Sequence, residues 1–111
     1  MARRVVWSAA ANTDLDAIDA YIRSRSPSSA RRVIEKLREA ADRLVDFPYA
    51  TRMIPEFHDT ERRETFVYAY RLLYRIEADR IRILRVVHGR RLLGNVPGSF
   101  EETAQEAYKA A

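Results

Sequence analysis

The chain of 111 residues contains no cysteine, which excludes disulfides and thiolate metal sites. Its two histidines, His58 and His88, stand thirty positions apart, so no zinc centre is expected and nothing asks for a metal or another cofactor. Long apolar runs are missing as well. None approaches the ~20 residues of a membrane span, and the opening MARRVVWS lacks the ~7–15-residue apolar stretch of a signal peptide. A soluble, cytoplasmic protein with no membrane partner is expected. Lysine is nearly absent: of 20 basic residues only Lys36 and Lys109 are not arginine. A GC-rich genome would produce that bias, and so would a need for bidentate partners of phosphate or carboxylate. Composition does not separate the two. Internal repeats, low-complexity segments and a second composition regime are also lacking, so residues 1–111 are read as one domain.

What is present concentrates between Arg62 and Arg91. Nine arginines there face Glu64, Glu77 and Asp79, a local balance of +6 in a chain whose total is +4. Aromatic and β-branched residues dominate the same stretch and predict strands at Glu64–Val67, Tyr70–Ile76 and Ile81–His88. Alternation puts Tyr70, Leu72, Tyr74 and Ile76 on one face, with Arg71, Leu73 and Arg75 on the other. The third run is apolar in both phases, Ile81, Ile83 and Val87 against Leu84 and Val86, which suits a central strand covered on both sides. A basic surface of this kind fits nucleic acid or an acidic protein partner.

Ahead of the strands, Arg3–Trp7 predicts an edge strand. Ser8 then caps a helix carrying Ala11, Leu15, Ile18 and Ile22 at helical spacing, with Thr13 as a competing cap. Ser26-Pro27 restarts a second helix whose stripe runs through Ala30, Val33, Ile34, Leu37, Ala41 and Leu44 to Phe47 at its margin. Pro48 ends it, and Tyr49–Glu61 reads as loop. Ser99-Phe100-Glu101-Glu102 is a capping box for a short last helix within residues 99–111, Phe100–Ala110 at most. The expected fold is α+β, a helical hairpin on one face of a mostly antiparallel four-stranded sheet.

Four segments in order, V-V-W-S with D-L-x-x-I-x-x-Y-I (Asp14–Ile22), A-x-x-L-x-x-F-P (Ala41–Pro48), R-x-x-x-V-x-x-Y-R-L-L-Y-R-I (Arg63–Ile76) and I-L-R-V-V-H-G-R-R (Ile83–Arg91), resemble the RelE/ParE superfamily of bacterial type II toxins over Val5–Leu93. The resemblance implies a toxin neutralised by an antitoxin, ParD-like in the ParE branch, that folds on binding into a hetero-oligomer. In the RelE-like branch the toxin enters the ribosome and cleaves mRNA. In the ParE-like branch it traps DNA gyrase and is not known to cut RNA.

Cleavage through a ribose 2′-hydroxyl needs groups that accept and return a proton, and cations for the charge between them. The RelE-like cations match Arg71 and Arg91. The basic residues those enzymes carry one strand earlier are replaced here by Glu64, Phe66 and Val67. The Tyr or His that they place past the last strand has no counterpart in Leu92-Leu93-Gly94-Asn95-Val96. His88 is the one nearby residue for proton transfer, since an imidazole titrates near neutrality. The ParE-like reading is therefore preferred, with Arg71, Arg75, Arg90 and Arg91 expected to meet gyrase or its bound DNA. The ribosome and mRNA are the alternative targets. Plainer roles exist for each: Arg71 bracketing Glu64 or Glu77, Arg90 and Arg91 in a solvated turn, His88 as a structural residue.

Overall fold

A computed structural model describes residues 3–91 and 93–96. Strand β1 (Arg4–Trp7) leads into helices α1 (Ala9–Arg23) and α2 (Pro27–Arg43). Strands β2 (Arg52–Met53), β3 (Arg62–Val67), β4 (Tyr70–Ile76) and β5 (Arg80–His88) follow, then a 3-10 turn at Leu93–Asn95. They form one sheet in the order β1-β5-β4-β3-β2, with β1 parallel to β5 and the other pairs antiparallel. The two-helix, mixed-sheet architecture is the one expected, with one strand more. That strand, β2, lies inside the segment read as loop, because two residues are too few for alternation to register.

Local chemistry explains both helix starts. Ser8 accepts the Ala11 N–H at 3.0 Å and donates to the Leu84 carbonyl at 2.9 Å, so one hydroxyl caps α1 and ties it to β5. The competing Thr13 instead donates back to Ala9 within the helix. Ser26 accepts the Ser29 N–H, and Pro27 takes the first helical position, where a missing N–H costs nothing.

The helices bury Ala11, Leu15, Leu37, Ala41 and Leu44 against Leu72, Tyr74, Ile76, Ile81, Ile83 and Val86. Trp7 packs at the margin of this core rather than within it. Tyr74 is fully buried, yet its hydroxyl is satisfied: it donates to the Pro48 carbonyl at 2.7 Å and bonds Thr51. That anchor fixes where the chain goes after α2. Because α2 stops at Arg43, its periodicity no longer governs Phe47, which is 67% exposed instead of closing the stripe.

The opposite face of the sheet is covered too, by Ile54, Phe57, Leu93 and Val96 packed on Leu73 and Val87. Between them, β5 carries a bulge: Tyr74 pairs with Ile83 and Leu73 with Arg85, which leaves Leu84 as the extra residue. The phase of β5 changes there, so Val86 joins the helix-side core and Val87 the other. The expected helix Phe100–Ala110 lies outside the described residues.

Ser8→Ala is expected to cost about 1–2 kcal/mol in urea unfolding, the usual loss for a helix cap. Thr13→Ala should stay within about 0.5 kcal/mol, as for a surface change. Equal losses for the two would show that the cap is misplaced.

Candidate functional site

Two arrangements of charge stand out, one buried in the sheet and one at the end of β5. The buried one centres on Arg71, which alternation puts on the face away from the helices. The residue is only 5% exposed. Nε donates to Glu64 at 2.7 Å, and Nη2 and Nη1 donate to Glu56 at 3.0 and 3.3 Å. Glu64 is itself 1% exposed and also binds Arg52.

A buried carboxylate needs such partners, because desolvation otherwise costs several kcal/mol. Burial alone would lower the Arg71 pKa, but the hydrogen bonds and charges of Glu56 and Glu64 outweigh it and hold the guanidinium's pKa above its ordinary value. The same hydrogen bond from Arg71 holds the Glu56 carboxyl below its usual range, against a smaller opposing effect of burial. Glu64 as a bracket for Arg71 was readable from the sequence. Glu56 was not, since it lies in an irregular segment that no period governs.

The second arrangement begins where β1 ends. The Ser8 N–H bonds the Ile83 carbonyl at 3.0 Å, after which β5 runs on with no strand on that side among the described residues. Asp14 of α1 takes over, accepting the Val86 N–H at 2.9 Å and both Nε and Nη2 of Arg85 at 2.8 and 2.9 Å. Between α1 and this end of β5 lies a groove of about 540 Å³, lined by Asp14, Ile18, Tyr21, Tyr70, His88 and Arg91 among others. Asp14 is thus neutralised within the wall. Tyr70 meets His88 edge-on at 5.9 Å, and burial, helped by nearby Tyr21, raises the phenol's pKa so that it remains a donor.

His88 accepts the Arg90 N–H at Nδ1, 3.2 Å away, which in the neutral ring leaves the proton on Nε2. Gly89 turns the chain so closely against the β3–β4 hairpin that a Cβ there would lie 3.1 Å from the Ala69 oxygen and 3.3 Å from the Phe66 ring. Arg91 follows, donating to the Asn95 carbonyl at 3.0 Å.

The sequence-derived site is therefore divided. His88 and Arg91 share the groove, with Arg90 beside them. Arg71 sits within the sheet, held by carboxylates. Arg75 lies toward the far end of β4, paired in register with Arg62 and Arg82 while Tyr70 pairs with His88. Arg75 stands five steps along the strand from Tyr70, roughly 17 Å. The row Arg62–Arg75–Arg82 follows from register alone, which residue spacing within a strand does not reveal.

The model of a family described as the ParE toxin of the type II toxin-antitoxin system, parDE, matches residues 5–93. The toxin RelE2 of Caulobacter vibrioides is 35% identical over 89 residues, covering 80% of this chain and 98% of its own. In fold, the chain is similar to a protein of the chromosomal ParDE system from P. aeruginosa. The TM-score is 0.64 at 22% identity, covering 78% of this chain and 95% of that one. It is also similar to one in the RelBE2 toxin-antitoxin complex from Mycobacterium tuberculosis, with a TM-score of 0.58 at 24% identity and coverage of 79% and 99%. The chain belongs to the ParE toxin family, within the RelE/ParE superfamily of type II toxins.

Arg71→Ala should destabilise the protein by about 3–5 kcal/mol, because it strands Glu64 without its principal cation. Glu56 has a depressed pKa, so its contribution is present above the ordinary glutamate value of 4.5 and is lost as pH falls through its lower folded value. In unfolding experiments, the stability gap between the parent and Glu56→Gln should hold constant above about pH 5 and close in acid. A gap that instead widens on acidification would refute this assignment.

Proposed function

We propose that this toxin acts by gripping DNA gyrase, and that an acidic antitoxin which folds on binding holds it inactive until released. The observation that carries the reading is the state of Arg71. A cation that stabilises a scissile phosphate must meet it, and Arg71 is instead buried with its donors committed to Glu64 and Glu56. The residue matching a RelE-like charge stabiliser thus serves the interior of the sheet. Target contact falls to Arg90 and Arg91, exposed at one end of the sheet, and to half-buried Arg75 toward the other. Gyrase itself or its bound DNA fits such a surface. The antitoxin follows from the family and from the likeness in fold to proteins of ParDE and RelBE2 toxin-antitoxin systems. Growth arrest in the cytoplasm is the corresponding cellular role.

A ribonuclease reading draws on one specific observation, that His88, Tyr70 and Arg91 line the same groove. It gives His88 the proton transfer and Arg91 the charge, without Arg71. Purified toxin, freed of antitoxin, is expected to block gyrase supercoiling and to leave mRNA on translating ribosomes intact. The double change Arg90→Ala with Arg91→Ala should weaken gyrase inhibition about tenfold or more while the protein stays folded, as expected when exposed charges at an interface are removed. Untouched supercoiling together with cut mRNA, abolished by Arg91→Ala, would reverse the assignment.

A further inference from the structure

The groove between α1 and the end of β5 is lined by hydrogen-bond donors that the fold itself does not use. Its one carboxylate, Asp14, is committed to Arg85 and the Val86 N–H. The Tyr70 hydroxyl makes no hydrogen bond among the described residues. His88 takes the Arg90 N–H on Nδ1, so its Nε2–H is left for a ligand. Arg91 donates from Nη2 to Asn95, while its Nε and Nη1 bond nothing else described. Ala17, Ile18 and Val86 supply an apolar lining, and the Tyr21 residue beside them is 60% exposed. Arg25 lies 4.8 Å from the centroid of the Tyr21 ring, which adds a further cation. Donors and cations without a free acceptor call for an acceptor-rich anion, and the aromatic lining calls for a flat body on it. At about 540 Å³ the space is of the size that holds a small molecule, roughly 300–1,000 Å³.

The hairpin tip supplies a second observation. Val67 pairs with Tyr70, so Tyr68 and Ala69 form a two-residue turn, and Tyr68 has φ 52°. Such turns favour glycine, asparagine or aspartate at a position of positive φ, where a bulky side chain is crowded. Tyr68 is 58% exposed and belongs to neither apolar core, so no packing offsets that strain. An exposed aromatic held in a strained conformation points to use at a surface. The Gly89 N–H bonds the Ala69 carbonyl at 2.7 Å, which sets the tip beside the exposed Arg90 and Arg91.

We infer that this end of the molecule binds single-stranded nucleic acid: one unpaired base enters the groove against Tyr21, its phosphate meets Arg91 and His88, and a neighbouring base stacks on Tyr68. Exposed aromatics beside unpaired cations suit a single strand, whose bases all offer a π-face and whose links all carry charge. A duplex keeps those faces stacked on one another, and an acidic peptide brings carboxylates without rings. The groove lies on the helix side of the sheet, away from Arg71, and the event is binding alone, with no bond broken. The inference rests on the reading that Arg90 and Arg91 meet the target, and it names what they meet as an unpaired strand.

Toxin freed of antitoxin is titrated with labelled oligothymidylate in the absence of gyrase, so a failure here and a failure of gyrase inhibition are separate results. Oligothymidylate should bind about tenfold more tightly than a duplex of equal charge. It should also shift the amides of Tyr21, Tyr68 and His88 in NMR spectra. Arg91→Ala should weaken binding and reduce the slope of log affinity against log salt by about 0.7, the share of one phosphate contact. Tyr68→Gly suits the turn, so the fold is kept; it should lower affinity about fivefold, the value of one stacked base, with the salt slope unchanged. Phe47→Ala, in the pocket beside β3, should change nothing. Oligouridylate is the second arm: whichever strand binds more tightly through the same amides identifies the source as DNA or RNA. Equal affinity for the duplex would overturn the inference, as would a polyglutamate peptide of equal charge that displaces the oligonucleotide as well as unlabelled strand does. So would parental affinity in Arg91→Ala or Tyr68→Gly, or unshifted amides at millimolar oligonucleotide.

Discussion

The matching of one buried cation governs much of this structure. Arg71 lies where the sheet is covered on both faces, so its charge is tolerable only beside carboxylates, and Glu64 is equally dependent on Arg71 and Arg52. Glu56 completes the set from the segment after β2, which fixes that segment over the sheet and lets Ile54 and Phe57 cover Leu73 and Val87. An electrostatic requirement thus becomes a packing one.

The same economy of backbone partners separates the two margins of the sheet. Ser8 and Asp14 belong to a helix, yet they act as a continuation of β1 by bonding Leu84 and Val86 in turn. That closure forms one wall of the groove containing His88 and Arg91. At β3 no residue among those described plays the corresponding part, and Phe66 is half exposed there. The two margins thus differ in chemistry: a histidine and an arginine line the groove at one, and large apolar side chains are exposed at the other.

How much of this was legible depended on the range over which each signal acts. Caps and periods are local, and they located both helices, the strand β4 to the residue and the edge strand β1. The two-phase apolar pattern of Ile81–His88 correctly indicated a strand covered on both faces, though its cause includes the bulge at Leu84 as well as burial. Glu64 could be named as a partner for Arg71 because the two strands were visible. Glu56, Asp14 and the row Arg62–Arg75–Arg82 depend on register and on contacts across the fold, for which single-chain spacing has no signal. Phe47 was assigned to a stripe that the helix does not live long enough to complete, and β2 is too short to show a period.

The extra residue at Leu84 decides which side chains β5 presents to each face of the sheet. An uninterrupted β5 would aim Arg85 and Val87, in place of Val86, at the helices, and would rotate His88 away from Tyr21 and Ile18. The bulge thus keeps Val86 and His88 on the groove side, and deleting Leu84, the unpaired residue, would straighten the strand and leave that display unchanged.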